Sequence, residues 1–304
     1  MKGTSGMKIG FIGLGHMGYP IAVRLIQAGH NVVGYDIFQK TVDKFTAEGY
    51  QAAATPAEAA SEADIVVTMV PDRPEVIDAA ISGDDAITNN IKPRSIFIDM
   101  STVDPATSRE LHEHFRTKGV RVADAPVARS VQDAWNGTLS TMVGCDKELF
   151  DDIEPLLSAY ASTIKYCGPN GSGSAMKLIN NFISQGTVAL IGEGLSAGMG
   201  QGLTLEIMLK VLGSTNAANG NLPNAMPKKA FIGDFSAGFM IKLAHKDQRL
   251  AIEMMREMGM KPTMGEATYA ALTTAIENGF AKDDLSALFK VVERQIGFEA
   301  RFAK

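Results

Sequence analysis

The sequence predicts an α/β domain built on a parallel sheet, followed by an all-α domain. From Met7 to Gly168, short apolar runs rich in β-branched residues alternate with amphipathic stretches, a pattern typical of strands joined by crossover helices. After the turn-rich segment 168–173, Ala, Met, Leu, Glu and Lys recur with periods near 3.6 and strand candidates almost vanish. A chain of 304 residues with 45% hydrophobic content suits two domains of ordinary size. We therefore predict an α/β domain over residues 7–168 and a helical domain over residues 169–304.

Each predicted strand is a short apolar run bounded by polar or glycine residues. The candidates in chain order are Lys8–Gly13, Asn31–Tyr35, Ile65–Met69, Ser95–Asp99, Arg121–Asp124, Ser140–Gly144 and Ser162–Tyr166. Stretches long enough for a crossover helix lie between them, at Tyr19–Gln27, Val42–Glu48 and Ala106–Lys118. The second domain opens with a long predicted helix, Ala175–Met199, and prolines punctuate the later helices, at Pro223, Pro227 and Pro262. The small, polar segment Met1–Gly6 is predicted to be an extension outside the fold.

Composition argues against several classes of protein. The net charge is −5 with both signs interspersed, so the chain lacks the basic stripe that nucleic-acid binding requires. It has no run of about 18 apolar residues and no basic-then-apolar start, so we expect a soluble, cytoplasmic protein without a membrane partner. Cys145 and Cys167 form no C-x-x-C and no metal-ligand spacing, so we expect no bound metal.

A glycine-rich turn stands between the first predicted strand and the first predicted helix. The segment 13–18 reads G-L-G-H-M-G, which is the G-x-G-x-x-G pattern of a Rossmann-type dinucleotide site. The first glycine permits the tight turn, the second admits a pyrophosphate to the backbone, and the third allows close packing of helix on strand. The helix N-terminus then offers N–H groups to the phosphates. The residues predicted to contact the cofactor here are Gly13, Gly15, His16, Met17 and Gly18.

Asp36 ends the second predicted strand, twenty-one residues after Gly15, where a ribose-binding acid is expected. A carboxylate there accepts hydrogen bonds from the ribose hydroxyls and repels a 2′-phosphate. The residues after it, Ile37 and Phe38, offer no cation to such a phosphate. We therefore predict NAD(H) rather than NADP(H) as the cofactor; the alternative is an exposed acid at a strand end.

Two further segments fall at the carboxyl ends of predicted strands, which is the edge where ligands bind in open α/β sheets. They are Met69-Val70-Pro71 and Asp99-Met100-Ser101-Thr102. We predict that Val70, Pro71 and Thr102 contact the cofactor and that Ser101 contacts the substrate. Equally, Ser101 and Thr102 could cap the helix that follows Pro105.

Lys177, Asn180 and Asn181 lie on the long helix that opens the second domain. Lys177 and Asn181 are i and i+4, so one helical turn places both on the same face. Reduction of a carbonyl by hydride needs a proton donor to the forming alkoxide, which a lysine can supply while an asparagine holds the substrate. The pattern alone is also consistent with a solvated helix face.

Several motifs together resemble one family of oxidoreductases. In chain order they are Gly10-Phe11-Ile12-Gly13-Leu14-Gly15-His16-Met17-Gly18, Asp124-Ala125-Pro126-Val127, Gly137-Thr138-Leu139, Lys177-Leu178-Ile179-Asn180-Asn181 and Phe239-Met240-Ile241-Lys242-Leu243-Ala244-His245-Lys246-Asp247. These segments resemble the β-hydroxyacid dehydrogenase family, and they run in the family's order across nearly the whole chain from Met7.

The resemblance implies an N-terminal Rossmann domain, a helical C-terminal domain, and a substrate cleft between them. It implies Lys177 as catalytic acid and base, Asn181 as the partner that orients the substrate, Asn180 beside it, and Lys246 near cofactor and substrate. It further implies an NAD(H)-dependent dehydrogenase acting on a small anionic 3-hydroxy acid or its semialdehyde, in a homodimer or homotetramer.

One departure from the family pattern concerns the substrate. Many members have Ser-Gly-Gly after the Asp-x-Pro-Val run, where this chain has Ala128, Arg129 and Ser130. An arginine fork holds a carboxylate, phosphate or sulfonate with two parallel hydrogen bonds. We therefore predict that Arg129 and Ser130 bind the substrate anion. The Arg-Ser pair, together with Lys-Leu-Ile-Asn-Asn and Leu-Ala-His-Lys-Asp, most resembles the sulfolactaldehyde reductases within the family.

Alternatives remain open at this point. The same residues suit a 3-hydroxyisobutyrate dehydrogenase or a tartronate semialdehyde reductase, with Arg129 on an ordinary carboxylate. A 6-phosphogluconate dehydrogenase shares the Lys-x-x-x-Asn spacing but generally has a much longer helical region. A silent nucleotide-binding protein would keep the fold without the chemistry, and imine reductases usually replace the lysine, so Lys177 argues against both.

Overall fold

The computed structural model describes residues 6–297, 299, 301 and 302. Within them one sheet contains nine strands: β1 (Lys8–Ile12), β2 (Asn31–Tyr35), β3 (Gln51–Ala52), β4 (Ile65–Thr68), β5 (Ile96–Asp99), β6 (Arg121–Asp124), β7 (Val127–Ala128), β8 (Leu139–Gly144) and β9 (Ala161–Gly168). The helices among these strands are α1 (Gly18–Gln27), α2 (Gln39–Ala47), α3 (Pro56–Ala60), α4 (Arg73–Ile77), α5 (Pro105–Arg116), α6 (Val131–Asn136) and α7 (Lys147–Leu157). The helices that come after the sheet are α8 (Ser172–Gly200), α9 (Leu205–Leu212), α10 (Ile241–Glu257), α11 (Thr263–Glu277) and α12 (Leu288–Ile296).

The strand order is β3-β2-β1-β4-β5-β6-β8-β7, with β9 beside β8. All neighbours from β3 to β6 are parallel. The chain adds β2 and β3 on one side of β1 and β4 to β6 on the other, so the strand order reverses at β1. The carboxyl ends of β1, β2 and β4 meet at this switch point. That is where ligands bind in open α/β sheets. The fold class predicted from the sequence is therefore confirmed, and it positions the glycine-rich turn at the binding edge.

The expectation of a purely parallel sheet is wrong beyond β6. Strand β8 pairs antiparallel with β6, and β7 pairs antiparallel with β8. The chain between β6 and β8 contains only the two-residue β7 and the six-residue α6, so it turns back as a hairpin-like connection. Strand β9 restores a parallel pairing, on the other side of β8, after the crossover helix α7.

Two hydrophobic clusters within the first part of the chain are built by the strands and their helices. One contains Phe11 of β1, Leu25 of α1 and Phe45 of α2. The other contains Phe97 of β5 and Phe115 of α5, whose rings lie 4.6 Å apart. Burial on both faces of the central strands explains why they read as near-continuous apolar runs in the sequence.

The chain divides into two compact units, one ending at Lys177 and the other beginning at Leu178. The predicted domain boundary lies earlier, between residues 168 and 169. Helix α8 begins at Ser172, and its first turn belongs to the first unit. There the hydroxyls of Ser174 and of Ser108 in α5 are buried and 2.8 Å apart.

The second unit is helical, with its own core. Val188 and Leu195 of α8, Leu272 of α11 and Phe289 of α12 are among its buried residues. Pro262 directly precedes α11, as the predicted punctuation implies. No helix among the described residues combines the length and apolar character needed to cross a bilayer.

The predicted extension Met1–Gly6 lies outside the described residues except for Gly6. The N–H of Gly6 donates to the carbonyl of Gly29 over 2.9 Å, and the adjacent Met7 carbonyl accepts from Asn31 at the start of β2. Gly6, the last residue of the predicted extension, is therefore hydrogen-bonded to the turn that precedes β2.

Candidate active site

The three motif glycines have three different surroundings. Gly13 has φ 99°, and a Cβ there would lie 2.2 Å from the Met69 carbonyl oxygen. A Cβ on Gly18 would lie 1.9 Å from the Gly13 carbonyl oxygen, so α1 could not pack as closely with any other residue at that position. A Cβ on Gly15 would meet nothing within 4 Å. Gly15 thus borders open space at the start of α1, as a pyrophosphate site requires.

The residues between these glycines form the N-terminal edge of α1. His16 is exposed and Met17, the N-cap residue, is half-buried, with no side-chain cap on the first N–H groups of the helix. Helix N-termini have N–H groups without intrahelical partners, which suit an anionic ligand. The turn therefore fits the phosphates of a dinucleotide.

Asp36 connects β2 to the glycine-rich turn. Its Oδ2 accepts the Leu14 N–H at 2.8 Å, and its Oδ1 accepts the Phe38 N–H at 2.9 Å. The carboxylate is half-buried at the switch point, next to the exposed side chains of Ile37 and Phe38. An acid held beside the turn in this way fits the ribose-binding position that the spacing predicts.

The ends of β4 and β5 are joined by one buried network. The Val70 N–H donates to Ser101 Oγ at 3.0 Å, and the Ser101 N–H donates to Asp99 Oδ1 at 3.0 Å. Thr68 Oγ1 donates to the same Asp99 oxygen at 2.8 Å. Ser101 is thereby fixed against the segment Val70-Pro71, as its predicted place at this edge requires.

The alternative in which Ser101 or Thr102 caps the following helix is wrong. Asp104 is the N-cap residue of α5, and its Oδ1 accepts the Thr107 N–H at 2.9 Å. Asp104 competes better for that position because its carboxylate also interacts with the helix dipole. Thr102 is half-buried just before the cap.

Arg129 adopts a backbone conformation that glycine favours, with φ 89°. Such a conformation costs a non-glycine residue about 1 kcal/mol or more. Its exposed guanidinium donates from Nη1 to the Thr138 carbonyl at 2.6 Å. Its Nη2 donates to Thr163 Oγ1 of β9 at 3.4 Å, so the guanidinium has protein acceptors of its own beside the start of β8. The predicted contact between Arg129 and the substrate anion stays a prediction.

Ser130 starts α6 through a capping box. Its hydroxyl accepts the Asp133 N–H at 3.2 Å and also donates to the Asp133 carboxylate, and its own N–H donates to Asp133 Oδ2 at 3.0 Å. A substrate oxyanion at Ser130 would therefore compete with Asp133 for both groups. The predicted contact between Ser130 and the substrate stays a prediction.

Lys177 and Asn181 share the buried face of α8, with exposed fractions of 9% and 6%. They are not a solvated pair on a helix surface. Asn180 is half-buried beside them, and its Nδ2 donates to Asn181 Oδ1 at 3.0 Å. The three polar residues predicted from the sequence are therefore brought together on one stretch of helix.

Asp247 is a residue of this site to which the sequence reasoning assigned no role. It is 2% exposed on α10, its Oδ2 accepts Asn181 Nδ2 at 2.6 Å, and its Oδ1 lies 3.1 Å from Lys246 Nζ. The carboxylate thus orients Asn181 and neutralises Lys246 at once. The only sequence signal for Asp247 was its position directly after Lys246, because the need of the buried Asn181 amide for an acceptor becomes clear only from the fold.

No group of three or more His, Cys, Asp or Glu side chains within the part of the chain that the structure describes could hold a metal ion.

Two family models match this chain. A family model described as the NAD binding domain of 6-phosphogluconate dehydrogenase matches residues 8–168. A second, described as NAD-binding of NADP-dependent 3-hydroxyisobutyrate dehydrogenase, matches residues 171–292. Together the two models span both units.

Relatives match along almost their whole length. The 2-(hydroxymethyl)glutarate dehydrogenase of Eubacterium barkeri is 32% identical over 96% of this chain and 96% of its own. The 3-sulfolactaldehyde reductase of Escherichia coli (strain K12) is 32% identical over 96% of this chain and 98% of its own. A solved structure of Mycobacterium tuberculosis 3-hydroxyisobutyrate dehydrogenase with L-serine is 28% identical, covers 94% of this chain and 99% of its own, and has a TM-score of 0.87. The chain therefore belongs to the β-hydroxyacid dehydrogenase family and is an NAD(H)-using oxidoreductase that acts on CH–OH groups.

Proposed function

We propose that this enzyme transfers hydride between NAD(H) and a small anionic 3-hydroxy acid or its semialdehyde, with 3-sulfolactaldehyde as the lead substrate. In that reaction the aldehyde gains a hydride and a proton, NADH becomes NAD⁺, and the product is 2,3-dihydroxypropane-1-sulfonate. The observation that carries the substrate proposal is Arg129, a cation in a backbone conformation that glycine would adopt more easily. Its strain is explained if the side chain has a function.

The cofactor is held by the backbone and by Asp36. The N–H groups at the start of α1 would hold the pyrophosphate, in the open space beside Gly15. Asp36 accepts from the adenosine ribose, which favours NADH over NADPH. The other contacts that we assign to the cofactor are those of Gly13, His16, Met17, Gly18, Val70, Pro71, Thr102 and Lys246.

The proton comes from Lys177. The bound nicotinamide supplies or takes the hydride, and Lys177 donates a proton to the forming alkoxide or removes it from the alcohol. Asn181 donates to a substrate oxygen while Asp247 fixes the orientation of its amide. The low exposure of Lys177 and Asn181 limits competition from water, which strengthens these interactions.

The substrate anion is bound by Arg129, with Ser101, Ser130, Asn180 and Lys246 as further contacts. The 2.6 Å bond to the Thr138 carbonyl holds Arg129 from Nη1, and a guanidinium has five N–H donors in a fixed fork. Nη2 donates to Thr163 Oγ1 over a longer distance of 3.4 Å, a contact that a charged acceptor would replace, and the remaining donors suit an anion with several oxygens. A sulfonate has three, and the E. coli relative carries the name 3-sulfolactaldehyde reductase.

The competing proposal is a carboxylate substrate, as for a 3-hydroxyisobutyrate dehydrogenase or a tartronate semialdehyde reductase. Its support is the structural similarity to the M. tuberculosis enzyme with bound L-serine, a carboxylate ligand. The same Arg129 fork binds a carboxylate with two parallel bonds.

A matched pair of substrates separates the two proposals. Initial rates with NADH are measured for 3-sulfolactaldehyde and for 3-hydroxy-4-oxobutanoate, in which a carboxylate replaces the sulfonate. We expect kcat/KM to be at least about tenfold higher for the sulfonate, since one well-placed charged contact contributes more than 1 kcal/mol. A preference for the carboxylate, or for tartronate semialdehyde or 3-hydroxyisobutyrate, would assign the enzyme to the competing class.

We also propose that the enzyme forms a homodimer or homotetramer through its helical unit. Ile179, Ile183 and Leu190 are spaced by four and seven residues along α8 and are exposed by 38%, 61% and 67%. This spacing makes one apolar helix face, which a second copy of the chain would cover. Light scattering after gel filtration tests the assignment, and a monomeric mass would contradict it.

A further inference from the structure

The first turn of α8 is attached to the sheet through one buried carboxylate. Asp124, the last residue of β6, is 2% exposed. Its Oδ1 accepts the Gly171 N–H at 2.7 Å and its Oδ2 accepts the Ser174 N–H at 2.8 Å. Both N–H groups belong to the start of the helix, which has no intrahelical acceptor for them and which favours a negative charge. The helix that contains Lys177 is thus held from a strand end.

Two glycines allow this close approach. A Cβ on Gly144 of β8 would lie 2.6 Å from Asp124 Oδ1 and 2.7 Å from the Gly173 nitrogen. A Cβ on Gly173 would lie 2.4 Å from the Met142 carbonyl oxygen. The start of α8 is therefore in close contact with β8, with no room for a side chain at either glycine.

Two other contacts support the same turn. Ser174 Oγ and Ser108 Oγ of α5 form a buried hydrogen bond of 2.8 Å, and Asn170 Nδ2 donates to the Val122 carbonyl of β6 at 2.8 Å. Lys177 follows Ser174 by three residues, which is less than one helical turn. A rotation of this turn about its anchor would move Lys177 with it.

We propose that Asp124 is a positioning residue for Lys177: its ionised carboxylate fixes the first turn of α8 and thereby places the Lys177 amine for proton transfer. This rests on the proposed role of Lys177. Asp124 itself does not touch the reacting atoms, because both of its oxygens are used by the backbone N–H groups of the helix.

The anchor has a pH dependence. Burial raises the pKa of Asp124 to about 6, partly offset by the two backbone N–H groups, and the charge of Asp99 at the end of β5 raises it further. The other titratable groups that interact with it are Cys145 and Cys167, and burial raises the pKa of both thiols, so they are uncharged near neutrality. Protonation of Asp124 would place a hydrogen on an oxygen that now accepts a backbone N–H, and would weaken that hydrogen bond. We therefore expect kcat to fall as the pH drops through about 6.

The test compares Asp124→Asn with Val122→Ala, a buried position on the same strand whose side chain takes no part in the anchor. With 3-sulfolactaldehyde and NADH, we expect Asp124→Asn to lower kcat by about tenfold or more at pH 8. NADH affinity, measured by fluorescence titration, should stay within about twofold, and the decline of kcat near pH 6 should disappear. Val122→Ala should lower the melting temperature. Its kcat at saturating NADH should be unchanged, and kcat should still decline near pH 6.

A double variant separates positioning from general damage to the fold. If Asp124 acts through Lys177, adding Asp124→Asn to Lys177→Ala should cause no further loss of kcat. A further loss of the same tenfold, or an unchanged kcat in the single variant, would overturn the proposal. If Lys177→Ala alone keeps full turnover, the proposed catalytic role is wrong instead.

If Asp124→Asn does not fold, Ser108→Ala replaces it in the same cycle. It removes the second anchor of Ser174 and leaves the carboxylate in place. We expect a loss of kcat of a few-fold that vanishes in the Lys177→Ala background, and persistence of that loss there would overturn the proposal.

Discussion

The cofactor side and the catalytic side of this enzyme are built by different means. At the switch point of the sheet, backbone N–H groups and the absence of a Cβ on Gly13, Gly15 and Gly18 form the site, and Asp36 closes it from the next strand. On α8, the residues that we propose for the chemistry act through their side chains, and buried acids from other elements accept hydrogen bonds from the start of the helix and from the Asn181 amide. Backbone geometry follows from a short local pattern. Side-chain placement depends on contacts that are remote in the sequence.

The largest expected effect lies on the catalytic side. Lys177→Ala should lower kcat by at least about 10² in both directions, since general acid–base catalysis contributes about 10²–10⁴. NADH affinity should survive, because the residues that we assign to the cofactor lie mostly at the switch point. Steady-state rates of aldehyde reduction and of alcohol oxidation measure kcat, and NADH titration on the same sample measures the affinity. Wild-type turnover with normal NADH binding would mean that another group delivers the proton.

The ionisation of Asp124 should also affect the free energy of unfolding. The folded pKa of Asp124 is about 6, above its ordinary value of 3.8, so the folded state holds the proton more tightly than the unfolded state. The contribution of Asp124 to the free energy of unfolding should therefore be largest below about pH 4 and decline by about 3 kcal/mol as the pH rises to 6, for a shift of about two units. Urea unfolding of wild type and Asp124→Asn at pH 4 and pH 8 measures this. The same pH dependence in both proteins would contradict it.

A buried acid that lowers stability needs a function to offset this cost. An ionised, buried carboxylate destabilises the fold at neutral pH, yet it is the form that accepts both N–H groups of α8. Functional sites commonly keep features that reduce stability. Here the reduction falls on the residue that positions the catalytic helix.

On the cofactor side, Asp36→Ala should relax the choice of cofactor. Wild type should prefer NADH over NADPH by about a hundredfold in kcat/KM, because a like-charge contact costs several kcal/mol. Removing the carboxylate should reduce this ratio mainly by improving NADPH, with some loss for NADH because the Leu14 N–H loses its acceptor. Asp43→Ala, a nearby acid on α2, is the matched control. Equal kcat/KM for both cofactors in wild type would remove the role of Asp36.

The sequence predicted most of the fold, because strands and helices follow from local periodicity. Strand β2 has the predicted bounds, Asn31–Tyr35, and α8 extends the predicted helix by only a few residues. It did not predict the antiparallel pairing of β8 with β6, since the direction of a strand depends on how the intervening chain turns.

The site was predicted unevenly for the same reason. The glycine motif and the i, i+4 spacing on α8 are local, so Gly15, Lys177 and Asn181 could be found in the sequence. Asp124 binds N–H groups 47 and 50 residues away, and Asp247 binds an amide 66 residues away. No periodicity connects such pairs. The attachment of Arg129 to the Thr138 carbonyl was likewise invisible, because it depends on the φ of Arg129.

Arg129 tests the substrate side with a smaller effect. Because its guanidinium is exposed and already bonded to Thr138, we expect Arg129→Ala to raise the substrate KM by about tenfold and to leave NADH affinity unchanged. Arg129→Gly should raise KM equally. It should also be more stable than Arg129→Ala by about 1 kcal/mol in the free energy of unfolding, since glycine adopts φ 89° without strain. An unchanged KM in both variants would remove Arg129 from the substrate site.

The smallest effect compares two glycines of one motif. Gly15→Ala adds a methyl group that meets nothing within 4 Å, so the free protein should keep its melting temperature. Its NADH affinity should nevertheless fall by several-fold to about tenfold, because the methyl group occupies space that the pyrophosphate needs. Gly18→Ala places a methyl group 1.9 Å from the Gly13 carbonyl, so it should lower stability even without cofactor. Thermal unfolding with and without NADH separates the two variants. A stability loss in Gly15→Ala without NADH would show that this glycine is needed for the turn itself. Normal NADH binding by Gly15→Ala would show that the phosphates bind elsewhere.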